Sequence, residues 1–488
     1  MAASGGEKVV VIGLDSVDVD YVRDHLAELP SLRRLFDEGV VRRLDSPANV
    51  MSGSVWPTFY TGSPPGEHGQ YFPMQWDARR MHLRHVAPDW IDCEPFWRPL
   101  AREGLPVTTL DVQCVFPNRT ADGVEVVNWG VEAFGGFHCN HRELAGEIAR
   151  RFGHDGMRFD APVDKTPARL ASMRRRLLAS VEGRGALARW LLRETPWRLF
   201  VAVFTECHRA GHYFWPAGGA DGPDAAERTL AEVHGAVDRE IGRLLELLDL
   251  DATTVVVFSL LGMEPNRSQM HFVAPLLDRV NAAFAAGAGA PPRARPRIMR
   301  AMRHAVPAAL QERIALAVPE AVRDWVIARA VTGGLDWTRT PAFALPTGGE
   351  GYVRLNRIGR EAAGCLAPEH ERRYRTLLED ALRSLRDAQT GEPLVADIHH
   401  PARGFAGSRE AYLPDLAVSW LASRPATEVR SSLGTLAGRL ATGRPGNHRP
   451  AAFAAVAGPA RTSRRAATLE TIVDLSCLVR DLVAGVPC

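Results

Sequence analysis

His208 and His212 stand four residues apart in Thr205-Glu-Cys-His-Arg-Ala-Gly-His-Tyr-Phe-Trp215. On a helical turn that spacing puts both imidazoles on one face, where they can hold a single metal ion. Glu206 is placed to orient one of those rings or to add a carboxylate ligand. His448 lies in Gly446-Asn-His-Arg-Pro450, a loop bounded by glycine and proline, and gains meaning only as a third ligand. Asp15 directly follows the apolar run Lys8 to Leu14, a position suited to metal ligation or to capping a helix. Ser52 and Ser54 precede a short helical run that starts near Trp56 and Pro57, and proline fits the first turn of a helix. The positive end of a helix favours a serine alkoxide and binds a phosphoryl group. That segment alone leaves two readings open, a nucleophile and an ordinary serine cap.

Elements that could position these residues are legible around them. Lys8–Leu14, Val107–Val112, Val124–Val127, Leu199–Phe204 and Thr253–Ser259 are strand-length apolar runs. Between them lie amphipathic, Arg- and Leu-rich stretches such as 166–196 and 224–249. Apolar strands alternating with helices imply an α/β fold, a mostly parallel sheet covered on both faces. Functional residues in such sheets lie beyond the carboxyl ends of the strands, which is where Asp15 and the 205–215 segment fall. Residues 272–335 are Ala-, Arg- and Pro-rich and read as helical, with a break at AAGAGAPPRARP. Strand-like runs return at Ala342–Leu345, Gly351–Asn356, Asp415–Leu421 and Ala451–Ala457. The expected organisation is a core of 1–271 and 337–488 interrupted by a helical insertion or cap at 272–336.

Composition excludes several classes. The 488 residues carry 59 basic and 57 acidic side chains, a formal net charge of +2, which argues against binding nucleic acid through bulk charge. Seven scattered cysteines with no CxxC argue against a disulfide framework or a thiolate zinc site. No apolar stretch is long enough for a membrane span. The opening MAASGGEKVVVIGLD lacks a basic start followed by an apolar segment, so the expected location is cytoplasmic.

Taken in order, these pieces resemble the type I phosphodiesterase/nucleotide pyrophosphatase branch of the alkaline phosphatase superfamily. The resemblance rests on VVVIGLDS, PSLRRLFDEGV, WPTFYTGSPPGEHG, HRAGHYFW, GYVRLN, TGEPLV, PDLAVSW and GNHRPAAFAAVAGP. It implies an alkaline-phosphatase-like core and a site for two metal ions, usually zinc. By the resemblance, His208, His212 and His448 form one metal site, with histidine at 208 where the family commonly has aspartate. The second site would take Asp15 and a nucleophile at Ser52, nine residues before Thr61, where relatives often carry threonine. Its remaining ligands, adjacent Asp and His in the family, are replaced here by Leu260 and Leu261 in Ser-Leu-Leu-Gly-Met263. Leucine cannot ligate a metal. One zinc is therefore expected, with a second doubtful and manganese or iron as alternatives to zinc.

The expectation that follows is a metal-dependent hydrolase or transferase of small phosphoric esters, with Ser52 attacking phosphorus. An alternative is a repurposed single-metal enzyme acting on a sulfate ester, a phosphonate or a specialised metabolite. A third is a degenerate binding protein without turnover. Trp56 and Trp215 are candidates to line a substrate pocket, although large aromatics are more often core. Asn266 and His271, shortly after the Leu-Leu pair, are candidate replacements for the lost ligands.

Overall fold

The computed structural model describes residues 6–486 except 91–92, 131–135, 154–164, 217–224, 288–321, 323–325, 327, 330–331 and 441–442. Its central sheet has eight strands: β1 (Lys8–Leu14), β2 (Val40–Leu44), β3 (Val107–Leu110), β4 (Val124–Val127), β5 (His138–Cys139), β6 (Leu199–Phe204), β7 (Thr253–Ser259) and, near the end of the chain, β14 (Ala452–Ala457). Spatial order is β2-β14-β7-β1-β6-β3-β4-β5. The inner strands β7, β1, β6, β3 and β4 are parallel, and the flanking pairings are antiparallel.

Valine-rich strands buried on both faces explain this sheet. Alternate residues of β1 enter opposite cores. Val10, Ile12 and Leu14 pack with side chains from two long helices, α2 (Pro167–Glu194) and α4 (Ala225–Leu245), while Val9 and Val11 meet α1 (Val55–Thr61) and α7 (Ile472–Ala484). Because β1 sits between β6 and β7 with all three parallel, their carboxyl ends share one edge. Asp15, the helix α3 (Glu206–Phe214) and the Leu260–Leu261 pair, each directly following one of these strands, meet there.

A smaller unit is built on the antiparallel sheet β9-β10-β12-β11, from β9 (Ala342–Ala344), β10 (Gly351–Leu355), β11 (Val395–His399) and β12 (Leu416–Trp420). It shares its own hydrophobic core with α5 (Val273–Ala286) and α6 (Pro368–Arg383). These strands therefore do not extend the central sheet. Most of 272–336 lies outside the described residues, and α5 is its described beginning. Two further strands, β8 (Gly262–Pro265) and β13 (Gly446–Arg449), pair antiparallel beside the edge where the parallel strands end. Among the described residues, no helix is long and apolar enough to cross a membrane.

His68 pins α1. It is fully buried, its Nδ1 accepts from the Gln70 N–H at 3.0 Å, and its Nε2 lies 3.0 Å from Thr58 Oγ1. Burial lowers its pKa from 6.5 to about 3. The unfolded chain therefore binds a proton that the folded chain refuses between those values, so stability rises with pH in that window. The contribution is complete above pH 6.5 and is lost as pH falls toward 3, at up to about 1.4 kcal/mol per pH unit. His68→Asn is expected to flatten the acid limb of the stability curve by one proton equivalent, measured by urea unfolding from pH 7 to 4. An unchanged slope contradicts this.

Candidate metal centre and active site

The imidazoles of His208, His212 and His448 meet at the edge just described. Their ring centroids form a nearly equilateral triangle with sides of 4.7, 4.9 and 4.8 Å. His208 Nε2 lies 2.9 Å from His212 Nε2 and 3.1 Å from His448 Nε2. The first two rings share a face of α3, as their spacing requires. His448 arrives from β13, where it pairs with Met263 of β8. Close approach of β13 to α3 depends on glycine: a Cβ on Gly446 would stand 2.0 Å from the Gly211 carbonyl oxygen, and one on Gly211 would stand 2.7 Å from Met263 Cε. Arg449, next to His448, is held by Asp18 at 2.5 and 2.7 Å and by Asp20. Asn266 tethers the preceding turn, donating from Nδ2 to the Arg444 carbonyl at 2.8 Å.

Hydrogen bonds on the far sides of two rings define their tautomers. His208 Nδ1 lies 2.8 Å from Asp15 Oδ2, and His212 Nδ1 lies 3.0 Å from the Gly446 carbonyl oxygen. Both partners accept only, so each ring carries its proton on Nδ1 and turns the Nε2 lone pair inward. Burial, reinforced by Arg444 and the neighbouring histidines, pushes the His212 pKa well down; burial and His208 lower His448 to about 3. His212 and His448 are thus suited to be neutral. Lone pairs aimed at one another across about 3 Å repel unless a cation lies between them. Tetrahedral zinc holds its imidazole nitrogens about 3.3 Å apart, so this donor set fits a single transition-metal ion. Among the described residues these three form the one group of His, Cys, Asp and Glu able to hold a metal in this way.

Asp15 lies against His208. Its Oδ2 accepts from His208 and its Oδ1 accepts from Trp56 Nε1 at 3.0 Å. Burial alone would raise its pKa, but His208 and the Trp56 donor outweigh burial and hold it below the ordinary value. This is the carboxylate–imidazole arrangement that orients a metal-binding ring. Trp56 is correspondingly buried, edge-on to Phe59 and Phe258, so it forms core and holds Asp15 instead of lining a pocket. Trp215 is half-buried and faces Tyr21 with centroids 6.3 Å apart.

Glu206 points away from the imidazoles. Its Oε1 accepts from Ser180 at 2.6 Å and from Arg184 Nε at 2.8 Å. Arg184 is fully buried and also pairs with Asp111. This ionic triad fastens the first turn of α3 to α2 and to the end of β3. Replacing Arg184 with methionine strands two carboxylates in the core. The expected loss is about 3–5 kcal/mol, read by chemical denaturation, and a loss under about 1 kcal/mol contradicts the assignment.

Leu260 and Leu261 are buried, 1% and 3% exposed, in the core that contains Trp56, Phe59 and Phe258. Ser259 Oγ closes the turn by accepting from the Val17 N–H and donating to the Leu261 carbonyl. Neither candidate replacement ligand joins the imidazoles: Asn266 holds the turn before β13, and His271 Nε2 faces the Ala426 carbonyl at 3.0 Å.

Ser52 begins a three-residue 3-10 turn that leads into α1 and is 6% exposed. Ser54, at the start of α1, donates to the Met51 carbonyl at 2.7 Å and makes no side-chain cap. Ser52 Oγ and His448 Nδ1 face the same space: a Cβ on Gly348 would stand 3.5 Å from the first and 4.0 Å from the second. His448 Nδ1 is buried without a hydrogen-bond partner among the described residues. The Ser52 N–H donates to Glu350 Oε1 at 2.7 Å, a contact the sequence reading did not foresee. Its local signal is the Thr-Gly-Gly-Glu-Gly run at 347–351, a sharp turn directly before a strand.

Comparison with solved structures gives the same architecture. Phosphonoacetate hydrolase from Sinorhizobium meliloti 1021 superposes with TM-scores of 0.52 and 0.51 in its complexes with phosphonoformate and phosphonoacetate. Identity is 13%, over 98% of this chain and 96% of that one. Murine ectonucleotide pyrophosphatase/phosphodiesterase 5 gives 0.47 at 12% identity, over 98% and 95%. The first two likenesses are of fold, and the core is alkaline-phosphatase-like. No curated protein matches the sequence significantly. The profile of the type I phosphodiesterase/nucleotide pyrophosphatase family matches residues 9–370, and the chain belongs to that family, within the alkaline phosphatase superfamily.

Proposed function

We propose that the protein is a hydrolase of small phosphoric esters that depends on one metal ion, zinc by preference, with Ser52 as its nucleophile. The observation that carries this reading is the convergence of three imidazoles near a buried serine hydroxyl. His208, His212 and His448 would hold the ion, and Asp15 would orient His208. When bound there, a divalent cation supplies Lewis-acid stabilisation of charge on a phosphoryl oxygen. Ser52 Oγ forms the new bond to phosphorus as the bond to the leaving alkoxide breaks, and water then releases the phosphoryl group from serine. With its Nε2 turned inward, neutral His448 keeps a proton on Nδ1, a donor facing the same space as Ser52 Oγ. The buried Leu260 and Leu261 support a count of one metal.

The test is hydrolysis of bis(p-nitrophenyl) phosphate by protein reconstituted with zinc and by chelator-stripped protein. Turnover restored by zinc or manganese is expected. Stripped protein that matches the reconstituted sample contradicts metal dependence, and absence of ester cleavage in both favours a binding protein.

A further inference from the structure

A cavity of about 480 Å³ lies between the large unit and the smaller one and shares no lining residue with the histidine cluster. Its volume is in the range of small-molecule sites. On one side it is walled by Asn49 and Val50, in the turn that leads to Ser52; on the other it is walled by the end of β11 and the segment that follows it as far as Phe405. Both walls are fixed by the fold. The Pro47 carbonyl accepts from the Val50 and Met51 N–H groups at 3.0 and 2.7 Å. The Gly66 carbonyl accepts from the Arg409 N–H at 2.7 Å, and a Cβ on Gly66 would collide with the Phe405 carbonyl oxygen.

The lining divides by chemistry. Val50, Pro401 and Phe405 are apolar. Both nitrogens of His400 are engaged: Nδ1 accepts from Arg375 Nη1 at 3.1 Å, and Nε2 faces Glu379 Oε1 at 3.4 Å. This imidazole therefore offers the cavity its ring and no donor. Two polar groups are left. Among the described residues, neither the Arg403 guanidinium nor the Asn49 side-chain amide has a hydrogen bond or ion pair, and no carboxylate lines the cavity. Arg403 is exposed, yet its charge reaches the cavity wall. Burial lowers the His400 pKa, and Arg375, Arg403 and Arg383 add to that against Glu379.

We propose that this cavity is a second binding site, for a small organic anion with a flat apolar body. Arg403 and Asn49 take the anionic head, and Val50, Pro401, Phe405 and the His400 ring take the body. A guanidinium fork matches the oxygens of a carboxylate or phosphate in shape and charge. Head and body can belong to a free molecule or to the far end of a substrate, because Asn49 and Val50 stand three and two residues before Ser52.

The probe is 2-naphthoate, with neutral 2-naphthamide as its isostere, and calorimetry on the zinc-reconstituted chain reads binding. Wild type is expected to bind 2-naphthoate with Kd below about 1 mM and the amide at least about tenfold more weakly. Arg403→Gln should weaken 2-naphthoate at least about tenfold and leave the amide unchanged. Asn49→Ala should weaken it by about threefold or more. A carboxylate can also ligate zinc, so His448→Ala and chelator-stripped wild type are the controls; both should keep the 2-naphthoate affinity within about twofold. No binding tighter than about 1 mM, a change under about threefold in Arg403→Gln, or loss of binding in the controls overturns the proposal. None of these outcomes needs turnover, so they are separate from the fate of the hydrolase reading. Kinetics with bis(p-nitrophenyl) phosphate then distinguish the two sources. Competitive inhibition by 2-naphthoate that Arg403→Gln relieves assigns the cavity to the far end of a substrate. Binding of 2-naphthoate undiminished by saturating substrate assigns it to a separate molecule.

Discussion

His448→Ala is expected to weaken zinc retention by well over about 100-fold and to bring esterase activity to background. The reason is geometric. His208 and His212 share one helix face, and two imidazoles leave zinc short of the three protein ligands it needs in an open site. His448 would supply the third from a strand 236 residues farther along the chain than His212, held by Arg449 and by the glycine contact between β13 and α3. Asp15→Asn separates ligation from orientation. If Asp15 acts through His208, zinc affinity should fall by about 10–100-fold, the range for loss of an orienting carboxylate. Equilibrium dialysis against a zinc chelator reads both variants. Equal, complete loss in both would make Asp15 a ligand; undiminished affinity in His448→Ala would remove the third imidazole from the site.

Ser52→Ala is expected to lower kcat/KM for a phosphodiester by at least about 10³-fold while leaving zinc affinity unchanged. Among the described residues Ser52 makes no hydrogen bond to the three imidazoles that would carry the metal, so the two properties should separate. Activity that survives within about tenfold would show that Ser52 only positions substrate and that water attacks directly. Loss of zinc together with activity would mean that the turn before α1 supports the metal site structurally.

Strand positions were readable because five parallel strands bury both faces and so appear as unbroken Val, Ile, Leu and Phe runs. Lys8–Leu14, Val124–Val127, Leu199–Phe204 and Thr253–Ser259 have the same limits in sequence and structure. The helices 166–196 and 224–249 were found to within a few residues. The strands at 342–355 and 416–420 were also visible, but not the sheet they join. Antiparallel strands in a separate small sheet carry the same alternation as strands at the edge of the large one, so partner choice was hidden.

The histidines at 208 and 212 were legible because helical spacing itself brings them together. His448 was recoverable only through its motif, since nothing local to Gly446–Pro450 demands a metal. Roles that depend on contacts between distant segments left no trace. Glu206 reads as a carboxylate beside two histidines, yet Arg184 draws it to the opposite side of the helix. Trp56 reads as a pocket aromatic, yet it is the donor that holds Asp15. Glu350 stands 298 residues from Ser52, and a Gly-Gly turn in isolation gives no reason to place it on the Ser52 amide. The Leu260–Leu261 pair was the reverse case: two apolar residues where the family resemblance calls for ligands already told of missing ligands, and both are buried.

Zinc stoichiometry and ligation test the central claim most directly, by metal analysis combined with zinc X-ray absorption on the reconstituted native chain. The account predicts one zinc per chain with three imidazole nitrogens at about 2.0–2.1 Å. Two tightly held zinc ions, or a single ion bound through fewer than three imidazoles, would contradict it.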